Sequence, residues 1–285
     1  MSSAPILDRE EYVEQAYFFR LFRERLAEGT PAQDILARVH EEILTTTRLP
    51  MAIEFLATEI KHAGLLASGF ERLTHYFSPF QAFVMKQAED EKVRVPMETA
   101  VLILEREAVY RSGDPTKPGL FVYQFESICR NRMGYFDGLT AMSNESFFDD
   151  DWKAYLQTIR KSIGVVDFAD LIFYRSDTAV NEIRRRNPSF EPNLPPLFGD
   201  KEGRIARASR GRDPLYFFAA MQRQLNYPEV PRTKARDETA TKMEMLQTKI
   251  REMDARLRLL ESETRGGPID FSQFGKPDIF KDDDE

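Results

Sequence analysis

Residues 120–174 read LFVYQFESICRNRMGYFDGLTAMSNESFFDDDWKAYLQTIRKSIGVVDFADLIFY, and this stretch decides the fold class. It holds twelve aromatic side chains, the single tryptophan (Trp152) among them, together with the single cysteine, Cys129. Aromatic side chains bury the most surface each, so a run this dense belongs at the centre of a core. The deciding question is whether the run contains a strand. Residues 165–174 combine Val, Ile, Phe and Tyr over a short length, which suits a pleat. Helical spacing competes with that reading throughout. Phe121, Phe125 and Ile128 share one face of a helix over 120–132 that ends before Gly134, and Trp152, Tyr155, Leu156, Ile159 and Ile163 share another that ends before Gly164. Asp149, Asp150 and Asp151 supply acids for the first turn of the Trp152 helix, and Asp167 stands as a cap ahead of Leu171, Ile172, Val180 and Ile183. Helix is therefore the preferred reading for 165–174, with 135–151 as short helix or loop, and the fold class is all-α.

Toward the N-terminus the pattern stays helical. Asp8 with Glu11 has the form of a capping box before Val13, Tyr17 and Leu21, which recur at helical spacing with Ala16, Phe19 and Phe22 up to Leu26. Thr30-Pro31-Ala32-Gln33 repeats that form before a buried stripe of Ile35, Leu36, Val39, Ile43 and Leu44. A third helix opens at Pro50, buries Phe55, Leu56, Ile60 and Ala63, and stops at Gly64. A short helix around 70–77 follows. Ser78-Pro79-Phe80-Gln81, Pro96-Met97 and Gly113 echo Thr30 to Gln33, Pro50-Met51 and Gly64, which makes 30–64 and 78–113 a candidate duplication. The competing reading is that cap chemistry recurs wherever a helix begins.

Toward the C-terminus, 187–231 carries seven of the 16 prolines and one clear helix, capped by Asp213 and started by Pro214. Met243, Leu246, Ile250, Met253, Leu257 and Leu260 then alternate steps of three and four, the seam of a coiled coil. Lys242, Lys249 and Arg256 at g face Gln247, Asp254 and Glu261 at e, so the expectation is a homo-oligomer joined through residues 239–261; the alternative is an amphipathic helix folded back on its own domain. The expected organisation is a helical body over 1–186, a Pro/Arg-rich segment over 187–236 that packs on it or links onward, a coiled-coil helix over 237–264, and a disordered acidic tail over 265–285.

A net charge of -7 opposes general attraction to nucleic acid or anionic lipid, no apolar run reaches membrane-span length, and the first residues lack the layout of a signal peptide. One cysteine excludes an internal disulfide, and the expected compartment is the cytoplasm. Gly-rich phosphate loops, serine elbows and paired Cys/His spacings do not occur, so no motif supports an enzyme and no cofactor is expected. Glu59-x-x-His62 is half of a di-iron ligand set, but the duplicated positions are Glu105 and Ala108, and His40 and His75 stand at no telling spacing; Glu59 and His62 remain weak metal candidates. Cys129 shares its helical face with Phe125 and Phe121, the setting of an inert thiol.

Charge is unevenly spread. Residues 175–236 hold 13 Lys/Arg against seven Asp/Glu, a local excess of six positive charges in an acidic chain. Arg184, Arg185 and Arg186 end a helix, where cations suit the dipole. Arg204, Arg207, Arg210 and Arg212 lie in a Gly-containing stretch without that explanation, and guanidinium forks recognise carboxylates and phosphates. The functional expectation is a non-catalytic interaction protein that self-associates through its C-terminal helix and presents this Arg-rich face to an acidic protein or phosphate-bearing ligand. Residues 266–285, with six acids, two lysines and Phe271, Phe274 and Phe280, are a candidate occupant in cis. The alternatives are a small-molecule binder or enzyme with a pocket in the helical body, and nucleic-acid binding through the arginines.

Overall fold

The computed structural model describes residues 7–90 and 95–233, together with Lys249 and Met253. The chain divides into two compact units, Met1–Thr233 and Lys234–Glu285. Of the second unit, Lys249 and Met253 are helical and exposed; the remaining seam positions Met243, Leu246, Ile250, Leu257 and Leu260, and the acidic tail, lie outside the described residues.

The described residues are helical with no strand. In chain order the helices are α1 (Arg9–Ala27), α2 (Ala32–Val39), α3 (Leu49–Ala63), α4 (Leu66–Arg72), α5 (Pro79–Glu89), α6 (Met97–Ser112), α7 (Lys117–Arg130), α8 (Tyr135–Ser143), α9 (Asp150–Ser162), α10 (Phe168–Tyr174), α11 (Asp177–Arg186), α12 (Asp200–Ser209) and α13 (Pro214–Leu225). The strand alternative for 165–174 thus resolves as α10, preceded by a turn in which Gly164 takes φ 85° and Val165 is 87% exposed. One helix from Asp167 through Ile183 was too simple an expectation: the chain breaks at Arg175, and the Ser176 hydroxyl starts α11 afresh by accepting from the Ala179 N–H.

Among the described residues, side-chain caps start six of the thirteen helices, α11 being one of the six. Ser78 and Gln81 form a reciprocal capping box at α5, Thr116 caps α7, Asp149 caps α9, Asp167 caps α10 and Asp213 caps α13, each satisfying an N–H that helix geometry leaves without a partner. Two expected boxes do not form. Neither Asp8 nor Thr30 gives its helix a side-chain cap, and α2 starts after Pro31. Glu11 is drawn elsewhere, accepting from the Arg48 N–H at 2.9 Å and from the Tyr76 hydroxyl at 2.8 Å. The two candidate repeats each fold as a helix pair, α2 with α3 and α5 with α6, yet their ends differ: Gly64 is left-handed (φ 73°) whereas Gly113 is not (φ -89°). Shared letters did not fix shared geometry.

The core has two aromatic centres. In the N-terminal half, α1 lies along α6, Phe18 packs on Phe19 and Phe22, and Phe19 meets Phe70, which stacks on Phe77 at 4.0 Å. Of the expected α1 stripe Phe19 and Phe22 are buried but Val13 is 46% exposed, and the buried face instead takes in Glu11, Glu14 and Gln15, hydrogen-bonded across the fold. Ala63 and Leu44, both expected in the core, are exposed, Leu44 because α2 ends at Val39 and the chain turns before it.

The second centre is α7. Phe121 touches Trp152, Tyr155, Phe168 and Phe198, and Phe125 stacks on Phe168 at 4.0 Å. Phe217 and Phe218 of α13 close the cluster against Phe168. Each such pair adds about 0.5–1.5 kcal/mol to the area it buries. Phe198, Phe217 and Phe218 therefore bind the basic segment to the body, and Asn131 fixes its end through bonds to the Pro231 carbonyl and the Thr233 N–H.

Candidate functional site

The basic segment returns to the start of α11. The Asp177 N–H donates to the Phe198 carbonyl at 2.9 Å and the Phe198 N–H to the Arg175 carbonyl at 3.0 Å, so α12 begins beside α11. The Thr178 hydroxyl then donates to the Asp200 backbone carbonyl at 2.7 Å and lies 2.9 Å from its carboxylate. Gly203 permits the close approach, because a Cβ there would stand 2.3 Å from the Ser176 hydroxyl and 2.7 Å from Thr178. Between the two helices runs an open groove of about 880 Å³, lined by Thr178, Asn181, Glu182, Arg184 and Arg185 of α11 and by Asp200, Arg204, Arg207 and Ala208 of α12. Positions 178, 181, 182 and 185 share one helical face, as do 200, 204, 207 and 208.

The groove is charged but only partly compensated. Arg204 pairs with Asp200 at 2.6 Å and Arg207 pairs with Glu182. Among the described residues Arg184 donates to the Phe190 carbonyl at 3.1 Å and has no carboxylate partner, and Arg185 has no hydrogen-bond or ion-pair partner. Four guanidiniums against the two carboxylates of Glu182 and Asp200 leave two net positive charges along the lining.

The sequence-predicted arginines therefore separate. Arg184, Arg185, Arg204 and Arg207 converge, while Arg186, Arg210 and Arg212 do not line the groove. Arg204 and Arg207 were expected in an irregular stretch; they lie in α12, with Arg204 in an i, i+4 pair. Arg210 pairs with Asp170 and covers the Phe173 ring at 4.2 Å, so its role is to hold α10.

The chain matches no protein-family model, no curated protein and no solved structure. The site must be read from its own residues.

Other candidates stay apart. Glu59 is buried and pairs with Arg72 at 2.5 Å, whereas His62 and His75 are exposed. Among the described residues no group of three or more His, Cys, Asp or Glu stands together as a metal site. Burial pushes the Cys129 thiol up to about 12, so at neutral pH it is not a thiolate. Asp149 is held below the usual carboxylate range by its hydrogen bond from Lys117 and its cap to the Trp152 N–H, which makes it structural.

One constellation escaped the sequence reading. Arg111 lies inside the body between Glu107, whose Oε1 is 2.8 Å from its Nη2, and Glu145, also at 2.8 Å; Gln124 donates to Glu107 at 2.7 Å and to Glu145 at 3.3 Å. Burial pushes the Glu107 carboxyl up; for Arg111 burial works downward, but the Glu145 and Glu107 charges outweigh it and raise it. The signal was available: Ala100, Leu104, Glu107 and Arg111 fall on one helical face, so two charges continue an apolar stripe.

Proposed function

We propose that this protein is a non-catalytic interaction module that receives an anionic partner in the α11–α12 groove and self-associates through residues 239–261. The observation that carries the groove reading is the convergence of Arg184, Arg185, Arg204 and Arg207, with Arg184 and Arg185 lacking a carboxylate partner among the described residues. A planar fork with free donors in an open groove favours a carboxylate or phosphate in two-point contact. The volume, about 880 Å³, suits a short segment or a compact ligand. The seam reading rests on the unbroken a/d pattern, and Met253, one of its six positions, is helical and 57% exposed.

Calorimetric titration of the full chain with a glutamate-rich peptide tests the groove. Binding that weakens at least about tenfold, or 1.4 kcal/mol, in an Arg185→Glu, Arg204→Glu variant is expected; undiminished binding in that variant would remove the groove from the reading. Light scattering tests the seam: the full chain should be larger than a dimer-incompetent chain ending at Arg236 by more than the mass of the missing residues. Two monomers would end the self-association part.

A further inference from the structure

Resting on the groove reading above, we infer that the partner is a peptide carrying a phosphoserine or phosphothreonine, with a basic residue about three positions away, and that it lies along the groove with the phosphate at the Arg184–Arg185 end. Charge along the groove is graded. At the level where α11 and α12 begin, Thr178 and Asp200 are hydrogen-bonded to each other, and Asp200 places a carboxylate in the lining. Seven residues further along α11, Arg185 offers a fork that has no partner among the described residues, with Arg184 next to it. A phosphomonoester carries about -1.5 to -2 charges at neutral pH, which matches the two guanidiniums without a carboxylate partner.

The spacing follows from the same helix. Seven residues of α-helix rise about 10 Å, and an extended peptide covers that distance in about three residues. A basic side chain three residues from the phosphate would therefore reach Asp200. Its arrival also competes with Arg204 for that carboxylate, and a released Arg204 faces the same groove.

The lining argues against RNA or single-stranded DNA as the partner. Sequence-tolerant recognition of single strands stacks bases on aromatic rings, and none of the nine lining residues is aromatic. Glu182 and Asp200 would in addition face a continuous row of phosphates, whereas a single phosphate flanked by a cation avoids them.

Fluorescence anisotropy with the full chain distinguishes these cases. The probes are a short peptide with arginine three residues before phosphoserine, the same peptide unphosphorylated, the same with glutamate for phosphoserine, the same with the arginine replaced by alanine, and a single-stranded RNA. The phosphoserine peptide should bind at least about tenfold tighter than its unphosphorylated and glutamate forms, and Arg185→Ala should erase that difference. Asp200→Asn, which keeps an acceptor for the Thr178 hydroxyl, should leave phosphate dependence intact while removing the preference for the flanking arginine. Equal affinity for the glutamate and phosphoserine peptides, or tighter binding of the RNA, overturns the inference and leaves the anionic-partner reading in place. Failure of every probe to bind overturns both.

Discussion

The molecule contains two arginine clusters that answer opposite questions. Inside, Arg111 has a side-chain exposure of 4% and two carboxylates, Glu107 at 0% and Glu145 at 2%. Outside, Arg204 and Arg207 are 72% and 56% exposed with one carboxylate each, and Arg184 and Arg185 have none among the described residues. A charge taken out of water must be matched at once or the fold fails, so the inner cluster carries more acid than base. A charge left in water can wait for a partner, and its own ion pairs hold it weakly. The ratio of acid to base around an arginine, read with its burial, therefore separates a structural role from a receptive one.

Removing the inner arginine is the most severe test of that contrast. Arg111→Ala would leave Glu107 and Glu145 facing each other without a cation, and the expected loss is about 3–5 kcal/mol in urea unfolding. A loss under one third of that would mean the two carboxylates already share a proton and the cluster is less ionic than its geometry.

Next in size is the packing that sets the outer cluster's width. Gly203→Ala would drive a methyl into Ser176 and Thr178, and overpacking of this kind costs about 1–3 kcal/mol. Ligand binding should weaken with it, because α12 must move away from α11. A variant with native stability and native binding would show that the groove spacing is set elsewhere.

A pH comparison sharpens the inner half. The Glu107 carboxyl is raised above its ordinary 4.5, chiefly by burial. Above 4.5 the unfolded chain therefore binds fewer protons at this site than the folded one, so the site's contribution to stability falls as pH rises toward the folded value. In Glu107→Gln that component is absent. Unfolding measured near pH 4.5 and at neutral pH should show the variant gaining on the parent as pH increases; a parallel pair of pH profiles would contradict the shift.

The smallest expected effect falls on the outer cluster. Arg207→Ala breaks an exposed pair with Glu182 and should change stability by about 1 kcal/mol or less, while ligand affinity falls. A larger destabilisation would place Arg207 with Arg111 as a structural residue and collapse the distinction.

These two clusters were not equally legible in the chain. Helices with a polar cap and a broad apolar stripe could be read directly, as at Ser78, Asp149, Asp167 and Asp213. α12 could not, because Gly203 interrupts a stripe whose buried apolar content is little more than Ala206. The groove arginines were visible as a list, but which of them meet depends on the backbone bridge between Ser176 and Phe198, a contact 22 positions apart that no local period encodes. The polar part of the α1 face is hidden for a related reason: Phe19 and Phe22 follow the helical period, but Glu11 and Gln15 are buried because Tyr76 and Gln81 receive them, 65 and 66 positions away. Polar residues in a core are unreadable until their partners are known, whereas Glu107 and Arg111 carry their pairing within one helix.

The Phe198, Phe217 and Phe218 rings that join the basic segment to α7 have a calorimetric consequence. The groove floor and the aromatic centre are expected to melt together, since the chain on either side of α12 carries rings that also cover Phe121 and Phe125. Any ligand that occupies the groove is then linked to unfolding of the whole described body: at a free concentration of one hundred times its dissociation constant it adds about 2.7 kcal/mol to that transition. A single melting curve, followed at Trp152 in the core, becomes a reporter for occupancy of a surface groove whose nine lining residues include no tryptophan.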